Sequence, residues 1–144
     1  MNQILRAHAD QIVKAAIAAV QPDAAVQRAL EGKEFPGEVV LVAAGKAAWQ
    51  MAKAAHDCLG SRISRGVVVT KYDHVMAPIG NFECCEAGHP VPDENSFSGT
   101  QAALDLVSTL TAKDTVLFLL SGGGSALFEK PLVPGEVLQD VTGQ

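Results

Sequence analysis

The sequence predicts an α/β fold, an open and mainly parallel Rossmann-like sheet with flanking helices, on three observations. Short continuous apolar runs at residues 38–44 (EVVLVAA) and 115–120 (TVLFLL) are of the kind buried on both faces of a parallel sheet. Segments with apolar residues at helical spacing alternate with such runs, the pattern of βα units joined by right-handed crossovers. Glycines follow two of the runs, Gly45 directly and Gly122-Gly123-Gly124 after Ser121, and permit the tight turns by which a strand gives way to a loop or helix.

In chain order, Leu5, Ala9, Ile12, Val13, Ala16 and Val20 fall on one face and predict an amphipathic helix over residues 2–20. Pro22-Asp23 restarts a second helix that runs to about Gly32. Neither helix carries an evident reactive group, and the lone His8 reads as structural. A Pro36-Gly37 turn leads into the first strand at 38–44. Ala48, Ala52, Ala55 and Leu59 then give a helix face of mostly small side chains that can pack closely on a sheet. A second strand is expected at 66–70 and a third at 82–86; Ala103, Leu106, Val107 and Leu110 mark a helix that starts near Ser96. The fourth strand is 115–120, and Ser125-Ala126-Leu127 is expected to open a further helix. The expected organisation is one domain, with N-terminal helices at 1–32 and βα units at 38–144.

Parallel α/β sheets bind ligands at the carboxyl edge of their strands, and four segments fall there. Gly45-Lys46 follows the first strand, and an ammonium at that turn can neutralise a phosphate or a carboxylate as a point charge. A Walker A loop is not present, because Val40 and Ala47 stand where it requires Gly and Ser or Thr. Lys71 follows the second strand, where a nicotinamide-binding fold would want an acidic residue for the ribose. The loop at 86–96 presents His89, Asp93 and Glu94 on a segment stiffened by Pro90 and Pro92. The two acids read either as helix caps or as ligand or metal contacts, and His89 carries the same two readings. Ser121-Gly122-Gly123-Gly124-Ser125 closes the set as a phosphate cradle, in which successive backbone N–H groups converge on an anion; the plainer reading is a flexible turn.

Composition removes several classes. With 48% apolar and 19% charged residues in 144, the chain is neither disordered nor fibrous. No apolar stretch approaches the ~20 residues that span a bilayer, and the N-terminus lacks a secretory pattern, so no membrane partner and a cytoplasmic home are expected. A net charge of −5 with no Lys/Arg cluster argues against a nucleic-acid partner. Cys58, Cys84 and Cys85 have neither disulfide nor zinc spacing and read as reduced, buried thiols.

Gly45-Lys46, residues 69–74 (VTKYDH), residues 86–93 (EAGHPVPD) and residues 120–127 (LSGGGSAL) occur in an order and at a spacing that resembles the glycerate 2-kinases of the MOFRL type, formerly described as hydroxypyruvate reductases. The resemblance runs from about Val39 to Pro131. It implies the N-terminal part of a larger α/β/α domain in a much longer chain, with ATP and Mg²⁺ as cofactors and D-glycerate phosphorylated to 2-phosphoglycerate. It also implies a C-terminal domain that is absent from this sequence and that contributes an arginine to the active site, so that catalysis needs that part. In this reading Lys46 is the catalytic residue. Ser121, Gly122, Gly123, Gly124 and Ser125 hold phosphate or nucleotide, and Gly45, Lys71, His89, Asp93 and Glu94 lie at or near the substrate. The metal ligands are unassigned, and a homo-oligomer or a completing C-terminal chain is the expected macromolecular partner.

The alternative is a non-catalytic partial domain that binds an anion or a nucleotide. An NAD(P)-dependent hydroxypyruvate reductase is disfavoured because Leu127 stands where the third Gly of GxGxxG belongs. A serine hydrolase is disfavoured because Ser125 lacks the Gly that a nucleophile elbow needs two residues on.

Overall fold

A computed structural model of the chain describes residues 2–123 and 126–143. The element order is α1 (Gln3–Ala19), α2 (Pro22–Leu30), β1 (Val39–Gly45), α3 (Ala48–Leu59), a 3₁₀ turn (Gly60–Arg62), β2 (Ile63–Lys71), β3 (Glu83–Ala87), α4 (Glu94–Ser108), β4 (Thr115–Ser121) and α5 (Gly135–Gly143). The four strands form one sheet in the order β3-β2-β1-β4, and every neighbouring pair is parallel.

Burial follows from this order. β1 is an inner strand with a hydrogen-bonded neighbour on each side, and all seven of its residues are buried, as its unbroken apolar run requires. Alternate β1 side chains serve opposite faces. Leu41 and Ala43 join Ala48, Ala52 and Ala55 of α3 and Val26 and Leu30 of α2 in one core, whereas Val40 and Val42 join Val67, Val69, Ala103 and Leu106 in a second core under α4. The small side chains of α3 let that helix lie close to the sheet.

Among the described residues, α1 and β4 both leave apolar surface uncovered. α1 buries none of its residues, and Ile12 is 68% exposed although it belongs to the predicted apolar face. β4 is an edge strand, and its Val116, Phe118 and Leu120 are 42%, 51% and 49% exposed. An inner parallel strand would have them covered, and exposed apolar edges invite further pairing.

Sequence and structure differ in four local respects. β2 begins at Ile63, earlier than the expected 66, because its first residues pair with the start of β1 across a register irregularity. β3 is displaced by one residue and α4 begins at Glu94, where Asp93 caps it. No helix starts at Ala126 and Leu127, which form a turn; α5 begins only at Gly135, so the expected helix dipole behind the glycine run is not there. Cys58 is exposed rather than buried, and all three cysteines are free.

Candidate functional site at the carboxyl edge

Strand order reverses beside β1. The chain runs outward from β1 through β2 to β3, then returns to place β4 on the other side of β1. The β1/β4 boundary is therefore a topological switch point, where diverging connections leave a crevice beyond the carboxyl ends. Gly45 pairs with Ser121 across that boundary. Lys46, Gly122 and Gly123 are thus the first residues past the two strand ends that flank the crevice.

Local chemistry explains the glycines. Gly45 has φ +115°, and a Cβ there would stand 2.3 Å from the Ser121 carbonyl oxygen, so no side chain fits. Gly122 has φ +68°, and no described residue lies within 4 Å of the place a Cβ would take, so its backbone turn rather than a close neighbour calls for glycine. Gly124 and Ser125 of the expected cradle lie outside the described residues. Ser121 has a structural task, because its Oγ accepts the Ala47 N–H at 3.1 Å and so ties the end of β4 to the start of α3.

That start is itself an anion-seeking feature. α3 follows Lys46 within two residues, and its N-cap, Ala47, provides no side-chain acceptor for the first-turn N–H groups. Unsatisfied N–H groups and the positive end of the helix dipole attract anions. Lys46 is exposed, and its ammonium makes no hydrogen bond or ion pair among the described residues. Sequence reasoning placed the cradle in the glycine run; the geometry adds the N-terminus of α3 on the other side of the crevice.

The remaining predicted residues extend along the edge. Lys71 ends β2 and pairs with Ala87, the last residue of β3, after which come His89, Asp93 and Glu94. His89 and Glu94 are exposed. Asp93 is engaged: its Oδ1 accepts the Ser96 N–H at 3.1 Å in a capping box, and its Oδ2 accepts the Tyr72 hydroxyl at 2.7 Å. Partial burial works against its ionisation, but hydrogen bonds from Tyr72, Gly88 and Ser96 outweigh it and hold the carboxyl below its ordinary value. The same contact raises the Tyr72 phenol, first through its hydrogen bond to Asp93.

Residues without an assigned role in the sequence complete a network here. Glu86 Oε1 accepts the N–H groups of His74 at 2.9 Å and Val75 at 2.8 Å, which lowers its pKa against a smaller desolvation effect. Asn95 donates to the Tyr72 hydroxyl at 2.9 Å and to the Glu86 carbonyl at 3.0 Å. Thr70 and His74 both reach the Lys46 carbonyl. Thr70, Tyr72, His74 and Glu86 all stand in the recognised motifs, whereas Asn95 falls in the 86–96 loop but outside those motifs.

Replacement of Asp93 by alanine is expected to cost about 1–2 kcal/mol of stability near neutral pH, the usual worth of an N-cap. The folded-state pKa of this carboxyl is lowered. Its contribution is therefore fully present above the ordinary value of 3.8 and is lost as pH falls through the lower folded-state value. Urea midpoints for the wild type and Asp93→Ala should converge in strong acid; a gap independent of pH would remove the carboxylate from the explanation.

The family model described as a domain of unknown function, DUF4147, matches residues 8–144. The chain belongs to that family. It is 56% identical over 140 residues to the D-glycerate 2-kinase of Thermotoga maritima, a match that covers 96% of this chain and 33% of the relative. With the glycerate 2-kinase of Pyrococcus horikoshii the identity is 42% over 132 residues, covering 84% of this chain and 29% of the relative. Among solved structures, the crystal structure of a Thermotoga maritima glycerate kinase superposes with a TM-score of 0.89 at 53% identity, over 99% of this chain and 34% of that one. The chain thus spans about a third of the length of these relatives, and it resembles the N-terminal portion of a glycerate kinase. Its parallel sheet with flanking helices is the fold of that neighbour.

Proposed function

We propose that this chain supplies the anion-holding edge of a D-glycerate 2-kinase that uses ATP and forms 2-phosphoglycerate. The observation that carries the reading is the switch point between β1 and β4, where Lys46, without a partner among the described residues, the start of α3 and the Gly122-Gly123 turn meet in a chain whose relatives bear the kinase name. In this reaction the 2-hydroxyl oxygen of glycerate attacks the γ-phosphorus, the bond to ADP breaks, and the hydroxyl proton is released. Such a transfer asks the protein for positioning and charge neutralisation rather than covalent chemistry. Lys46 meets the charge of the transferring phosphoryl group or of the glycerate carboxylate. The glycine turn and the N–H groups of α3 receive phosphate oxygens. Lys71, His89 and Glu94 lie farther along the same edge, toward the substrate.

Magnesium is a different case. Among the described residues no three His, Cys, Asp or Glu side chains are grouped to hold a metal ion. Asp93 and Glu86 are committed to hydrogen bonds within the protein. These described residues do not form a magnesium cage, and a magnesium ion brought in on the ATP phosphates would ask the protein for only one or two carboxylates.

The exposed apolar residues of β4 favour a partner that covers that strand, either a completing C-terminal chain or a second copy. They also motivate the second reading, a partial domain that binds an anion without turnover. No described helix is long and apolar enough to cross a membrane; a cytoplasmic home is part of the proposal.

Calorimetric titration with Mg²⁺-ATP, joined to a coupled ADP assay with D-glycerate, tests the reading. Binding with turnover supports the kinase in this chain alone. Binding without turnover, with activity restored by the C-terminal two thirds of a full-length relative, supports the need for a completing chain. Binding that no such addition converts to turnover favours the partial domain, and absence of binding sinks the site. NADH oxidation with hydroxypyruvate would favour the reductase instead.

A further inference from the structure

The Lys46 carbonyl oxygen sits under two donors, Thr70 Oγ1 at 3.3 Å and His74 Nδ1 at 2.9 Å. A carbonyl can only accept, so the hydrogen in this contact resides on Nδ1. His74 does not reach this position by chance of rotamer alone. Asp73 adopts the left-handed region at φ 65°, a conformation that Asp tolerates better than most residues. The next two backbone N–H groups, of His74 and Val75, then converge on Glu86 Oε1. Glu86 lies on β3, two strands away from β1. Asn95 from α4 ties the Glu86 carbonyl to Tyr72, and Tyr72 is tied to Asp93. The loop after β2 is thus strapped to β3 and α4 and reaches back to grip the peptide of Lys46, the residue that follows β1 at the crevice.

We propose that His74 is a positioning residue for Lys46, holding its peptide through Nδ1–H while Glu86 holds His74. The functional consequence rests on the reading that Lys46 meets an anion. Gly45 immediately precedes Lys46 and carries no side chain to restrain the turn, so the two bonds to the Lys46 carbonyl share the restraining with the Ala47 N–H bond to Ser121 Oγ at the other end of the same peptide. Misplacement of a charged group by ~1 Å can cost about 100-fold in a positioned reaction. Thr70, fully buried on β2, provides the fixed half of the grip, and His74 provides the half that depends on a loop.

Amide order parameters of the ligand-free 144-residue chain separate the positioning role from the functional reading. In His74→Ala the values at Lys46 and Ala47 are expected to fall from about 0.85 toward the flexible range below about 0.6. His74→Asn, whose Nδ2 places a donor where Nδ1 stood, should restore them, whereas His74→Gln, which reaches to the Nε2 position, should not. The wild-type imidazole nitrogens should report hydrogen on Nδ1. Unchanged order parameters in His74→Ala, or hydrogen on Nε2 with none on Nδ1, overturn the proposal. Calorimetry with inorganic phosphate and with ATP then follows the same series. Weaker binding in Ala and Gln but not in Asn supports the link to Lys46. Loosening of Lys46 without anion binding in any variant, the wild type included, leaves positioning intact and removes the proposed function of the site.

Discussion

Replacement of Lys46 by alanine is expected to lower turnover on the order of 10²–10³-fold wherever the chain is catalytically competent, alone or completed, the cost typical of one preorganised electrostatic group. The side chain is exposed and makes no hydrogen bond or ion pair among the described residues, so its loss should leave the fold undisturbed. Stability and activity therefore separate: the urea midpoint should stay near that of the wild type while both turnover and calorimetric affinity for ATP or glycerate fall. Lys46→Arg should recover part of the affinity, since charge is retained, but not full turnover, because a planar fork directs its donors differently from an ammonium. Wild-type turnover in Lys46→Ala would take Lys46 out of the site and leave anion binding at the crevice to the glycine turn and the start of α3.

Much of this fold was legible because its signals are local. The β1 run needed no partner to declare itself, since seven apolar or small residues in succession suit only a strand covered on both faces. The alanine face of α3 is equally explicit. Strand order was less accessible. Nothing in the residues of β4 states that it returns beside β1 rather than beyond β3, yet that return creates the crevice and brings Ser121 to Gly45. The candidate site divided in the same way. Gly45, Lys46 and Gly122 stand out as residue types, but the grip of His74 on the Lys46 carbonyl depends on a loop conformation set by Glu86 on another strand. The expected helix at Ser125-Ala126-Leu127 failed at its described residues because a turn carries the chain away from the glycine run, and Leu127 packs into the core under α4 instead.

Gly45→Ala should be the most damaging conservative substitution at the edge, since the added carbon meets backbone. At φ +115° a side chain is strained before any contact is considered, worth roughly 1–3 kcal/mol. The Cβ would also lie 2.3 Å from the Ser121 carbonyl oxygen and 2.9 Å from its Cβ, so the last β1–β4 pair must open. Opening that pair also pulls on the bond between Ala47 N–H and Ser121 Oγ, and with it on the start of α3. A loss of several kcal/mol is expected, a large share of a typical stability of about 5–15 kcal/mol. Gly123→Ala supplies the contrast, because no described residue lies within 4 Å of its Cβ position and its φ is not positive. It should fold as the wild type does. Urea unfolding of the two variants side by side reads out the difference, and equal midpoints would mean that Gly45 is not the close contact between β1 and β4 that the geometry describes. Activity would add a second distinction. If Gly45 acts through the strand ends, ligand affinity in any folded fraction of Gly45→Ala should fall with the stability, because the same pairing that holds the sheet edge together also sets the separation of Lys46 from Gly122.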